Sequence, residues 1–150
     1  MSTTLYIALD RKIDGAQLNN NRVFLAKLVG DPDSMGILCG KLGIKSLCDF
    51  QSYDPQMLAD FMDDPKELET AIAKALPIQW FNPSEALPVV KALQLHFEQT
   101  RFIQERGRKE AGKWEAVDRT DDLMRELRDL EAALSHAENA GAKFRLYVGF

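Results

Sequence analysis

Residues able to carry chemistry are scarce in this chain. Among 150 residues there are two histidines and two cysteines: His96, His136, Cys39 and Cys48. A tetrahedral zinc site of nitrogen and sulfur ligands would need all four, and none stands at the close pair spacing of zinc motifs. No metal and no other cofactor is expected. No run approaches the roughly 18 apolar residues that a membrane span requires. The start, Met1-Ser2-Thr3-Thr4 and then an alternating stretch, lacks the basic segment and long apolar core of a signal peptide. Cysteines in apolar company without an export signal read as buried free thiols of a reducing compartment. These absences predict a cytoplasmic protein without a membrane partner.

Strong charge of one sign is missing too. The formal net charge is −4 with 28% charged residues, which favours solubility and opposes loose binding to nucleic acid or anionic lipid. The acidic excess lies in residues 1–100, whereas 101–150 is balanced. One basic cluster exists: Arg101, Arg106, Arg108, Lys109 and Lys113, interrupted by Glu105 and Glu110. Without an aromatic ladder beyond Phe102 and Trp114, it lacks the basic face of a nucleic-acid footprint. It reads as a solvated loop or as a docking patch for an acidic partner. No nucleic-acid partner is expected.

Catalytic signatures fail on inspection. Gly36-Ile37-Leu38-Cys39-Gly40-Lys41-Leu42-Gly43 has a superficial likeness to a phosphate loop. Three residues rather than four separate its glycines, and Leu42 stands where Ser or Thr must reach magnesium. Its small residues read instead as letting a short helix pack closely before stopping at Gly43. There is no nucleophile elbow, and nothing in the order of residues selects a pair of opposed carboxylates. No catalytic residue is assigned.

What is present is ordinary for a globular fold, with 45% apolar residues and a length that buries about two thirds of the surface. Leu5, Ile7 and Leu9 alternate with Thr4, Tyr6 and Ala8 in an N-terminal strand, and Phe144, Leu146 and Val148 alternate with Arg145, Tyr147 and Gly149 in a C-terminal one. The polar 10–21 connects to a short helix closing at Gly30. Four pairs, Asp31-Pro32, Asp54-Pro55, Asp64-Pro65 and Asn82-Pro83, carry helix-start chemistry: a side-chain acceptor at the N-cap, then a proline whose missing N–H had no partner there. Amphipathic stripes predict helices over 54–62 and 64–76. The stripe Ala86, Val90, Leu93, Phe97 predicts another running to about Gln104, interrupted or bent at Pro88. A polar break at 106–113 precedes a long helix over 119–140 with Leu123, Leu127, Leu130, Leu134 and Ala137 on one face. Its other face offers Asp121–Arg125 and Arg125–Asp129 pairs, and Gly141 follows as a left-handed C-cap. Ile78–Phe81 reads as a third strand or as an extended link.

The prediction is one α+β domain over 1–150, predominantly helical. Its N- and C-terminal strands share a small sheet of two or three strands packed by about six helices.

The run 42–50 with Ser52-Tyr53-Asp54-Pro55, the run 80–87 with Val90 and Leu93, and the ending Ala140-Gly141 with 144–148 resemble segments of small uncharacterised bacterial proteins. The resemblance implies a shared fold and no particular reaction.

The 47–54 segment sets aromatics among short polar side chains in a connection, where binding residues often sit. Asp49, Phe50, Ser52, Tyr53 and Trp80 are therefore the candidate binding residues. The alternative keeps Phe50 and Trp80 in the core, with Ser52 and Asp54 capping a helix. The expected function is non-catalytic binding of another protein, in the manner of an immunity or regulator protein. The competing expectation is a small-molecule binder or enzyme with a pocket between sheet and helices, near Trp80 and Asp49.

Overall fold

A computed structural model describes residues 3–13, 21–55, 62–74, 77–108 and 114–149, with backbone alone over 105–108 and 114–115. β1 (Thr4–Leu9) and β4 (Phe144–Gly149) pair antiparallel, Thr4 opposite Gly149 and Leu9 opposite Phe144. Beyond the strands, Asp10 N–H donates to Lys143 O at 3.0 Å and Lys143 N–H donates to Asp10 Oδ1 at 2.9 Å. Strand alternation sorts the side chains. Leu5, Ile7, Phe144 and Leu146 are buried on the inner face, while Thr4, Tyr6, Ala8, Arg145, Tyr147 and Gly149 share the outer face.

A two-stranded sheet is marginal in water, and here each outer edge makes further backbone hydrogen bonds. On the β1 side, Leu5 N–H donates to Arg22 O at 3.1 Å. On the β4 side, Phe81 and Phe144 exchange N–H···O bonds of 2.8 and 2.9 Å, and Ser52 N–H donates to Leu146 O at 3.0 Å. Ile78–Phe81 is thus the extended link of the two readings. Phe81 makes a single bridge, and Asn82-Pro83 then has to begin a helix.

The inner face is covered by α4 (Pro83–Gln99) and α5 (Thr120–Asn139), which supply Ala86, Val90, Leu93 and the fully buried Leu123, Leu127, Leu130 and Leu134. These join the inner strand residues in one buried cluster. Pro88 lies inside α4 without dividing it, and forfeits a backbone bond to Ser84 O in the first turn. On α5, Arg125 pairs with Asp122 at 3.4 Å, three residues away, in place of the four-residue pairs expected; Asp122 also holds Arg119 at 3.4 Å. Gly141 follows with φ 68°, the left-handed cap.

Two helix starts behave as their Asp-Pro pairs predict. Asp31 Oδ1 accepts the Ser34 N–H at 3.3 Å above α2 (Pro32–Leu42), and Asp64 Oδ1 accepts the Lys66 N–H at 2.9 Å above α3 (Pro65–Lys74). The helix expected over 54–62 falls mostly outside the described residues, as do 75–76 and most of the 10–21 connection. Gly36 and Gly40 do not mediate close packing. Both are exposed on α2, and a Cβ at either would meet nothing within 4 Å.

The helix expected to reach Gln104 stops at Gln99, with Thr100 extended at φ −128° and ψ 151°. The apolar stripe ends at Phe97, and Phe102 packs back on that ring at 6.0 Å. A second hairpin follows, β2 (Ile103–Arg108) with β3 (Trp114–Asp118), so the basic segment is a strand up to Arg108; 109–113 lies outside the described residues. The register slips between Arg106 and Arg108, which marks Gly107 as the extra residue of a bulge.

α1 (Val23–Val29) has no acidic residue in its first turn, and its N-cap residue, Arg22, makes no side-chain cap. The acceptor comes from α5. Glu126 Oε1 takes the N–H groups of Phe24 at 3.0 Å and Leu25 at 2.9 Å, a carboxylate at the positive end of the helix dipole. Glu126 is 3% exposed. Burial pushes its carboxyl above the ordinary value near 4.5, against the pull of the Leu25 and Phe24 N–H groups. Arg22, fully buried, donates its backbone N–H to Thr4 Oγ1 at 2.7 Å and Nη1 to Leu5 O at 3.3 Å. Burial lowers its pKa, while Asp129 and then Glu126 hold it up.

Glu126→Ala should lower the unfolding free energy by about 3 kcal/mol, because two buried N–H groups lose their acceptor. The pH dependence has a definite sign. The folded carboxyl is raised, so the native state holds this proton more tightly than the unfolded chain. Its contribution is complete below the unfolded value and is lost as pH rises through the folded one. Urea unfolding from about pH 4 to pH 7 should show this decline in the wild type and its removal in Glu126→Gln. Separately, Gly36→Ala and Gly40→Ala should each stabilise by about 0.5–1 kcal/mol, as expected for open helical positions; thermal melts check this.

Candidate functional site

The outer face of the terminal sheet carries a row of rings around one cation. Tyr6 and Tyr147 are opposite each other in the β1–β4 register and stack with centroids 5.2 Å apart at 24°. Arg145, two residues before Tyr147 and so on the same face, places its guanidinium carbon 4.9 Å from the Tyr147 ring and 5.5 Å from the Trp80 ring. Trp80 arrives from the link before α4, and its position follows from the bonds of its neighbours. Gln79 N–H donates to Ser52 Oγ at 2.7 Å, and Phe81 bridges Phe144. Gly149 lies under Tyr6: a Cβ there would stand 3.2 Å from Cε2 of the ring. The small residue lets the tyrosine lie flat across the strands.

Arg145 is the unusual member. It is 9% exposed, Nη1 donates to Ser52 O at 2.9 Å, and Nε is enclosed without a hydrogen-bond partner. No carboxylate among the described residues forms an ion pair with it. An arginine carries five N–H donors, so most of this one's capacity is unspent. Two flanking π faces offset part of the desolvation of the charge.

Of the residues singled out in the sequence, three converge here. Trp80 forms one wall of the row and is 37% exposed. Ser52 is buried with all its polar groups engaged, N–H on Leu146 O, Oγ on Gln79 and O on Arg145. Tyr53, 46% exposed, accepts the Val148 N–H at its Oη at 3.2 Å. The other two lie apart. Phe50 is fully buried on the inner side, 5.5 Å from the Phe81 ring and 5.7 Å from Phe144. Asp49 is exposed on the 3₁₀ turn Leu47–Phe50, where its charge helps keep both thiols protonated. Tyr6, Arg145 and Tyr147 were not singled out. Their signal was the alternation itself, which places them together on the face that Leu5, Ile7, Phe144 and Leu146 leave.

Elsewhere the reactive groups are occupied. Cys39 and Cys48 are free, and burial raises both thiols, which disfavours the nucleophilic thiolate. Glu126, the buried carboxylate among the described residues, is spent on α1. No group of three His, Cys, Asp or Glu side chains gathers as ligands among the described residues, and no described helix is long and apolar enough to cross a membrane. A cleft of about 250 Å³ between α1, α2 and β2 is floored by Leu28, Met35, Leu38 and Phe102; it includes neither Asp49 nor Trp80.

Comparison with protein-family models, with curated proteins and with solved structures finds no match. The segmental likeness to small bacterial proteins therefore lends this face no assignment.

An unpaired buried charge destabilises, often by several kcal/mol, and an apolar replacement of similar size relieves it. Arg145→Met should leave the urea unfolding free energy unchanged or raise it by up to about 2 kcal/mol, after allowing for about 1 kcal/mol lost with the Ser52 hydrogen bond. A clear loss of stability would make Arg145 a scaffold residue.

Proposed function

We propose that this protein is a cytoplasmic, non-catalytic binding domain, immunity- or regulator-like, that docks another protein on the outer face of its terminal sheet. The observation that carries the reading is Arg145: a guanidinium withdrawn from water, without an acidic partner among the described residues, between Tyr147 and Trp80. Tyrosine, tryptophan and arginine are the residues that dominate binding energy at protein interfaces. Here they sit side by side, with Trp80 and Tyr53 presenting exposed ring surface. An unpaired positive charge beneath that surface gives it an electrostatic preference for an acidic partner. The occupied thiols and Glu126 support a non-catalytic role.

Affinity capture from the source cell tests the reading. The wild type should retain a defined partner in stoichiometric amount. Trp80→Ala and Tyr53→Ala should each reduce retention at least tenfold, the loss of about 1.4 kcal/mol or more expected of an interface anchor, while their circular dichroism and melting curves stay cooperative. Ile37→Ala, on the exposed side of α2, serves as the control and should retain the partner. Equal retention by all variants would remove the face from the binding surface.

A further inference from the structure

We infer that the ligand group taken by Arg145 is a carboxylate. The inference rests on the binding-face reading and adds the chemistry of what is bound there. The chain contains its own comparison. Two arginines among the described residues are buried, Arg22 and Arg145. Arg22 lies within the fields of Asp129 and Glu126, the compensation a buried cation ordinarily has. Arg145 has rings on two sides and one backbone oxygen. Among the described residues, no acid forms an ion pair with Arg145.

The bond that is made leaves a particular nitrogen over. Nη1 is turned to Ser52 O and Nε is enclosed, as the Nε of Arg22 is too, so Nη2 is the nitrogen of Arg145 left to meet a ligand. The N–H groups of Nη2 can donate charge-assisted hydrogen bonds to a carboxylate oxygen, which are stronger than those between neutral groups. A single cation between aromatic walls also matches a single negative charge. Phosphate, with up to two charges, would leave one uncompensated. Of the two walls, Tyr147 is set in a strand and stacked on Tyr6, whereas Trp80 is more than a third exposed in an irregular link. The carboxylate enters on the Trp80 side, and the indole reports its arrival.

The experiment follows the Arg145 Nε–H and Trp80 indole N–H resonances of the full ¹⁵N-labelled chain, assigned by their loss in Arg145→Lys and Trp80→Phe. Sodium acetate is titrated at ionic strength held constant with sodium chloride. Both resonances should shift saturably, and the exposed arginines should not. Two peptides then separate the sources: one with an internal glutamate and an amidated end, the other with a free C-terminus and no acidic side chain. A saturable shift with either supports the carboxylate and identifies its origin as side chain or chain end. No saturable shift with acetate and both peptides overturns the inference, as does an equal or larger response to inorganic phosphate. Capture of the partner by Arg145→Gln separates this failure from that of the binding face. Retention there, with loss in Trp80→Ala, keeps the face and removes the carboxylate.

Discussion

The pairing of β4 with β1 is the constraint on which the rest of the structure depends. β4 is bonded along both edges, to β1 on one side and to Phe81 and Ser52 on the other, with the Tyr53 hydroxyl meeting Val148. Segments from distant parts of the chain are thereby tied to one six-residue strand. Its inward residues, Phe144 and Leu146, join the core cluster with residues of α4 and α5, and its outward residues, Arg145 and Tyr147, form the centre of the outer row. The same alternation that builds the core therefore builds the face. Arg22 on one edge and Phe81 and Ser52 on the other engage backbone groups that could otherwise template another chain.

Much of this was legible in the sequence because it is local. Alternation fixed the two terminal strands, the leucine stripe fixed α5, and Asp31-Pro32 and Asp64-Pro65 marked helix starts by a mechanism that acts within one turn. The β2–β3 hairpin was not legible. Its strands, Ile103–Arg108 and Trp114–Asp118, are too polar to show a period of two, and they begin where a helical stripe had only just ended. Gly36 and Gly40 misled for a related reason: a glycine's spacing does not say whether its bare face meets a neighbour or water, and here it meets water.

The candidate face was half legible. Ser52, Tyr53 and Trp80 stood out as short polar and aromatic residues in connections, and they do meet β4. Phe50 stood out by the same composition and faces the other way, because one residue of chain separates the inner side from the edge-bonding stretch that follows. Arg145 did not stand out at all. A lone arginine in a strand is unremarkable until burial and the absence of an acid are seen together, and both are properties of the assembled fold. The cap that Glu126 gives α1 is of the same kind, since the donor and acceptor are separated by 101 residues between Leu25 and Glu126.

The ladder that joins Asp10 to Lys143 spans 133 residues, and this sets an order of events during synthesis. At roughly 5–20 residues per second on the ribosome, β4 leaves the exit on the order of ten seconds after β1. Throughout that interval Leu5, Ile7 and Leu9 have no strand to lie against, and Arg145 has not yet been made. A nascent chain of this protein thus carries a sticky ribbon that waits for a strand made 133 residues later, which is the situation in which ribosome-associated chaperones have the most to hold.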